Sequence, residues 1–516
     1  MTDAGRQSAF RGVALLTAAT PVSFGLGLIA SAVIARALGP ELFGRYAYLV
    51  WLSGLLVLLA NNALPTTGIR FVSESIGRQS RDLAGIVHRW LGVRQAICAA
   101  VVAALAVGSV PFIDGHASPD QAWTVAALVA IGVAAKSRYL FDVSIAKGYG
   151  RYAVEAVSAL AVGAANLGCV LLLASAGAPL VHFVAAFSAA GIGYAIVAAA
   201  LNRRAGLVPV HGRLDAALQD RVNRHLAWTV LLTTTGLVSS RSIETYLLNA
   251  VAGPAEVGFF AIAAALTRGG TGLLTSGLSA VLMPSMAHAF GAQGPRRVAT
   301  LLSDAVRYFQ FAGLLLAGVG VLWSEPVVRL LYGPAFLPVV DVVRIMLLVA
   351  GAALAGDAFG AVLTTTDHQR ARAVIAVASV VLSAAAAFAL VPRFGLIGAV
   401  AAHALSTLAI HALTVGLVNR IMETRLPLRE LALQFGSAVV AGTVAWTVVA
   451  VTPGITGQWL AGIAYALVLP AASIIARAWT GADADRVMRL TSVGLTRSAG
   501  LRRLIDRCAM RAAGRP

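Results

Sequence analysis

Long apolar runs separated by short basic segments constrain this chain more than any other feature. A helix needs about 20 mostly apolar residues to cross the hydrocarbon core of a bilayer. Such runs fall near 13–34, 43–64, 95–113, 121–140, 153–175, 179–201, 226–248, 256–284, 308–323, 340–363, 373–391, 395–418, 431–452 and 457–476. Charge is scarce: 12% of the residues carry it, against about 25% in ordinary soluble proteins. A soluble chain of 516 residues would need several hydrated domain surfaces, and there is too little charge to make them. The expected fold is all-α and integral to the membrane, with about 14 transmembrane helices.

The placement of Lys and Arg orders these runs. If successive runs cross in alternation, 33 of the 40 cations lie on one side. Only Arg36, Arg45, Arg329 and Arg393 lie on the other, and Arg241, Arg268 and Arg344 sit inside runs. Cytoplasmic loops are the basic ones, so both termini are expected in the cytoplasm. The net charge of +18 then reads as a topology signal and an attraction to anionic headgroups, with no nucleic-acid partner. Cys98, Cys169 and Cys508 are far apart and form neither a disulfide framework nor a zinc spacing. No metal or cofactor is expected. The first run follows Arg6 and Arg11 and lacks a small-residue cleavage pattern, so it reads as an uncleaved helix. A GxxxxGK[ST] loop is absent, so the chain carries no ATPase of that kind.

The chain also repeats itself. Gly39, Pro40, Gly44, Tyr46 and Ala47 form the pattern G-P-x-x-x-G-x-[Tyr/Phe]-A, which returns at Gly253, Pro254, Gly258, Phe260 and Ala261, 214 residues later. Gly148-Tyr149-Gly150-Arg151 and His368-Gln369-Arg370 follow at an offset of 219, and Ala176-Gly177 and Phe394-Gly395 at 218. Three collinear matches point to a duplicated six-helix unit. An even number of crossings makes the copies parallel, related by an axis along the membrane normal, with a cavity between them. Locally, the Gly-Pro pair reads as a left-handed helix cap followed by a residue that cannot continue the helix. The expected division is a first six-helix bundle at 1–201 and a cytoplasmic linker at 202–225. A second bundle at 226–420, two further helices within 421–480 and a basic tail at 481–516 complete it.

The stretches IARALGPELFGRYAYLV, NNALPTTGIRFVSE, SSRSIETYLLNAVAGPAEVGFFAIAAAL, LLYGPAFLPVVDVVRIMLLV and LVPRFGLIGAVAAHALS carry a resemblance. Over roughly 11–420 the chain resembles the Wzx-type oligosaccharide flippases. These belong to the multidrug/oligosaccharidyl-lipid/polysaccharide exporter superfamily, which includes MurJ and the MATE drug exporters. The resemblance implies two six-helix bundles around a central cavity. It implies a non-enzymatic protein of the bacterial inner membrane that moves undecaprenyl-diphosphate-linked oligosaccharide outward by alternating access. Membrane lipids and a polysaccharide polymerase machinery are the implied partners. Where the family often has Asp, nine residues before the second Gly-Pro, this chain has Glu244. Where it often has an acidic residue and Gly, Asn61 and Asn62 stand.

A diphosphate headgroup calls for cations facing a wet cavity, and a charge inside a span marks function by default. Arg268 lies about 18 Å along its run from Glu256, near mid-membrane, and Gly269 and Gly270 follow it. Arg241 and Glu244 are three apart and share a helix face. With Asn61, Asn62, Arg70, Lys136 and Arg138 they form the candidate substrate-binding set, Glu244 and Asp357 being the candidates for ion coupling. Arg344 and Asp341 read as interfacial, and His182, His403 and His411 as packed single residues. Pro21 and Pro65 predict bends. The runner-up function is a cation- or proton-coupled drug or small-molecule exporter of the same superfamily, which would want a more acidic cavity. A membrane polymerase or ligase would need larger outer loops than these.

Overall fold

The computed structural model describes residues 3–113, 119–239, 242–365, 368–422 and 426–479. All regular structure among them is helical. In chain order the helices are α1 (Asp3–Asn61), α2 (Leu64–Gly77), α3 (Arg81–Ile113), α4 (Pro119–Gly148), α5 (Ala153–Ser175), α6 (Leu180–Arg204) and α7 (Ala216–Ser239). They continue as α8 (Ser242–Val251), α9 (Pro254–Gln293), α10 (Pro295–Leu331), α11 (Val340–Thr365), α12 (Gln369–Met422), α13 (Leu428–Val451) and α14 (Ile455–Ile475), with a 3₁₀ turn at Pro334–Val339 before α11.

Two of these are too long for one crossing. At about 1.5 Å per residue, α1 drawn straight would run about 90 Å, three times the hydrocarbon thickness. It is interrupted at Gly39 (φ 73, ψ 174), and α12 at Gly395 (φ 53, ψ −129). The first two runs share α1, and the eleventh and twelfth share α12. The seventh takes in parts of α7 and α8, and residues 240–241 between them lie outside the described ones. Eleven segments are each long and apolar enough to span a membrane. Dividing the two interrupted helices and adding the α7–α8 pair accounts for all fourteen runs. The expected bend at Pro21 is not a break, because the backbone stays helical until Gly39. The break expected near Pro65 falls two residues earlier, at Ala63 (φ 64), and Pro65 sits in the first turn of α2. Large apolar side chains such as Leu172, Ile196 and Leu467 are exposed on the spans, as helices bathed in lipid require.

The chain packs as two compact units. One comprises Met1–Ala261, Leu331–Ala335 and Val380–Ala399; the other comprises Ile262–Leu330, Phe336–Ser379 and Val400–Pro516. The first has a core of Phe71, Leu91, Phe141, Ile145 and Val222, contributed by α2, α3, α4 and α7. The second is built on Met286, Phe309, Leu354, Phe359 and Val418 from α9, α10, α11 and α12. In that second unit α13 and α14 pack on α10. Tyr465 donates its hydroxyl to the Leu314 carbonyl at 3.1 Å, Trp323 donates its indole N–H to the Trp459 carbonyl at 3.2 Å, and Gln458 donates to Glu325 at 2.9 Å.

The Gly-Pro turns have a role beyond reversing the chain. Gly39 and Gly253 (φ 97) are both left-handed, which favours glycine. Pro254 starts α9, where its missing N–H is harmless. Within the first unit the second glycines of the two motifs then meet. A Cβ on Gly44 would lie 1.7 Å from the Pro254 carbonyl oxygen, and one on Gly258 would lie 3.0 Å from Gly44 Cα. Glu256, in the first turn of α9, accepts a hydrogen bond from the Leu396 N–H at 2.7 Å and so satisfies the backbone at the Gly395 break. The obstruction at Gly44 is backbone and cannot swing aside. Gly44→Ala is therefore expected to lower stability by about 1–3 kcal/mol, the usual range for overpacking. Thermal unfolding of the purified protein measures it, and Gly54→Ala, where a Cβ meets nothing within 4 Å, is the control.

Candidate substrate-binding site

The helix of the second run ends at Asn61, and the chain turns through Asn62 and Ala63 before α2 begins. A left-handed alanine is strained, and irregular backbone at membrane depth survives only inside protein or beside water. The Thr66 and Thr67 hydroxyls both donate to the Ala63 carbonyl, at 2.9 and 2.8 Å. Asn61 is 4% exposed, and neither atom of its amide has a hydrogen-bond partner among the described residues. An unsatisfied buried polar group costs about 1–3 kcal/mol.

Asn62 starts a polar seam. Thr233 donates to Asn62 Oδ1 at 2.5 Å, and Asn62 Nδ2 donates to Thr234 at 3.2 Å. Two turns further along α2, Arg70 Nη1 donates to His225 Nδ1 at 2.9 Å, and one turn beyond that Glu74 is paired with Arg221. Asn62, Thr66, Arg70 and Glu74 recur every four residues, as do Arg221, His225, Thr229 and Thr233 on α7. The two stripes run in opposite directions and match in register. Sequence reasoning selected Asn62 and Arg70 but missed Glu74 and all four α7 residues; the fourfold spacing on both segments is the signal that could have found them.

The other candidates separate by what already holds them. Arg138 is gripped in a two-point fork by Asp142, at 2.9 and 3.0 Å, and the Asp142 side chain is 2% exposed. Lys136 lies over two aromatic faces, 3.7 Å from the Tyr194 centroid and 4.6 Å from that of Tyr139, a cation–π arrangement. Glu244 is buried in the first turn of α8. Arg241 lies outside the described residues. In the second unit, Arg344 pairs with Asp341 at 3.0 Å. Asp357 meets His411 at 3.3 Å, so His411 is not the single packed residue that spacing suggested. Arg268 is exposed on α9; its Nε donates to the Ala264 carbonyl at 3.3 Å, and no carboxylate pairs with it among the described residues. Near the far end of α9 a cavity of about 480 Å³ is lined by Ser285, His288, Gln293 and Arg297 and by no acidic residue.

Interrupted helices, a polar seam that leads away from the end of a span, and a mid-span arginine with no carboxylate partner among the described residues mark a multi-pass membrane protein of transporter type. More particularly, the chain belongs to the polysaccharide biosynthesis protein family, whose model matches residues 9–290. Its fold is similar to that of the lipid II flippase MurJ in an inward closed conformation. The TM-score is 0.70 at 12% identity, covering 89% of this chain and 98% of that one. It is also similar to a multidrug resistance MATE transporter of the MOP superfamily. The inward-facing form gives a TM-score of 0.64 at 14% identity, covering 78% of this chain and 96% of that one. The outward-facing form gives 0.58 at 13%, covering 81% and 96%. At such identities the likeness is one of fold. No curated protein matches by sequence.

The seam has a pH dependence of defined sign. His225 Nδ1 accepts from Arg70, so the ring is neutral. Burial first, and the Arg70 charge second, hold its pKa below the usual histidine value. The seam's contribution is complete above about pH 6.5, the unfolded value, and is lost as pH falls through the lower folded value. The thermal midpoint should therefore drop on acidification. His225→Gln, which can still accept from Arg70, should flatten that drop in an unfolding series across pH.

Proposed function

We propose that this protein translocates an undecaprenyl-diphosphate-linked oligosaccharide from the inner to the outer leaflet of the bacterial cytoplasmic membrane, for cell-surface polysaccharide assembly. The observation that carries this reading is Arg268. A guanidinium at mid-span with no carboxylate partner among the described residues is costly unless it faces water or an anion. Its planar fork suits a diphosphate. Arg241 and the amides of Asn61 and Asn62 complete the proposed headgroup contacts. Arg70 and Lys136, nearer the basic side, would have to exchange His225 and the tyrosine faces for the headgroup, and Arg138, already forked to Asp142, takes a supporting place.

In this reading 1–201 and 226–420 act as two six-helix bundles joined by 202–225, with both termini in the cytoplasm. Cycling by alternating access means that the α2–α7 seam on the basic side and the Gly44–Gly258 contact on the other side part in turn. The polymerase machinery would consume the delivered units. The basic character of Arg241 and Arg268 favours an anionic lipid-linked cargo over a cationic drug.

In a strain deleted for the gene, lipid-linked repeat units should accumulate and surface glycan should be lost. Loss of a charge-assisted hydrogen bond of about 1.5–3 kcal/mol predicts that Arg268→Ala cuts glycan display roughly tenfold or more. Arg268→Lys should fall between, keeping the charge without the fork. Glycan labelling at the cell surface, with membrane insertion checked by immunoblot, reads the result. Normal display from an inserted Arg268→Ala protein would remove Arg268 from the site, and a deletion strain with intact glycan would overturn the function.

A further inference from the structure

The second unit contains a paired carboxylate and imidazole that the substrate reading does not use. Asp357 lies on α11 within the apolar span Pro334–Gly360, and His411 lies on α12 beyond the Gly395 break. His411 Nδ1 is 2.8 Å from the Thr407 carbonyl oxygen, and Nε2 is 3.3 Å from Asp357 Oδ1. A carbonyl oxygen only accepts, so Nδ1 carries a hydrogen. In the neutral ring that leaves Nε2 bare, and an ionised carboxylate also only accepts. Two bare acceptors repel, so the contact needs one proton between them, held by either group.

The site is built around the ring. A Cβ on Gly356, beside Asp357, would lie 2.0 Å from His411 Cδ2, so the glycine lets the imidazole lie against α11. With the proton bound, the pair is neutral overall, as acid plus imidazole or as carboxylate plus imidazolium. Without it the pair carries one negative charge inside a membrane span, which is costly. Other titratable groups on the surrounding helices include Asp304 and Arg307 on α10, paired at 2.6 Å, Arg296, Arg297, Glu325 and Arg329 on the same helix, and Glu256, Arg268 and His288 on α9. Arg429 and Glu430 lie on α13, Arg370, Arg372, His403 and Arg420 on α12, and Asp341 and Arg344 on α11. Among the described residues Asp357 and His411 make no ion pair with any of them.

We propose that Asp357 and His411 form a one-proton binding site that couples transport to the proton gradient. A proton from water binds between Nε2 and Oδ1 and joins α11 to α12. Its return to water leaves the carboxylate facing a bare nitrogen, and the two helices part. The coupling role rests on the transport reading above; the proton site does not.

The full chain with ¹⁵N-labelled histidine, in lipid nanodiscs at neutral pH, tests the site by NMR. His411 is identified as the one of nine histidines whose signal vanishes in His411→Gln. The expected spectrum has a hydrogen on Nδ1 and a proton borne or shared at Nε2. Asp357→Ala should leave Nε2 bare. Should that variant not insert, Asp357→Asn keeps a donor to Nε2 and should show a neutral ring. A bare Nε2 in the unaltered protein, or a spectrum unchanged by Asp357→Ala, overturns the site. In the deletion strain, inserted Asp357→Asn should lose glycan display. Full display would overturn the coupling while leaving the substrate reading to the Arg268 variants.

Discussion

Inside a bilayer every peptide group must find its hydrogen-bond partner within the protein. The rest of this structure depends on that requirement. Long helices are its default solution, and each departure from them has to be made good locally. At Ala63 the carbonyl keeps its helical bond from the Thr67 N–H, at 3.0 Å, and accepts two threonine hydroxyls beside it. At Gly395 the Glu256 carboxylate takes up the freed N–H of Leu396. The breaks are therefore supported positions, and they hold side chains at depths where an uninterrupted helix would present only apolar groups.

The candidate polar side chains fall into two kinds. Most are committed to a partner. Arg138 is held by Asp142, Arg221 by Glu74, Arg70 by His225, and Lys136 by two tyrosine faces. A cation so held contributes to packing and orientation, and a ligand must compete for it. Asn61 and Arg268 differ, having respectively no partner and only a backbone carbonyl one turn away among the described residues. The proposed headgroup site leans on these two, because among the described residues no side chain competes for them.

The spans were legible because hydropathy and charge are local properties that a bilayer reads in the same way. The interruptions at Gly39 and Gly253 were legible too, since a left-handed turn leaves its mark in one or two residues. Pro21 leaves the helix unbroken, because a membrane helix can carry a proline within its own backbone. The α2–α7 seam was hidden for another reason. Each stripe of four is visible, but nothing in either names the other, 147 residues away at the Glu74–Arg221 pair. Asp357 and His411, 54 residues apart, were likewise separate facts until two helices packed. Legibility ended where chemistry depended on pairing between helices.

The glycine contact has a consequence for descent. Gly44 and Gly258 hold the same place in the two copies of one motif, and they touch backbone to backbone. Equivalent residues of two copies can meet only near the axis that relates them, as they do at the centre of a twofold dimer. In the six-plus-six reading, this is where two identical chains of an unfused ancestor would have met. Any residue larger than hydrogen there would have obstructed both partners at once. In that reading the two motifs have since diverged, Tyr46 answering Phe260, while the glycines have stayed the same.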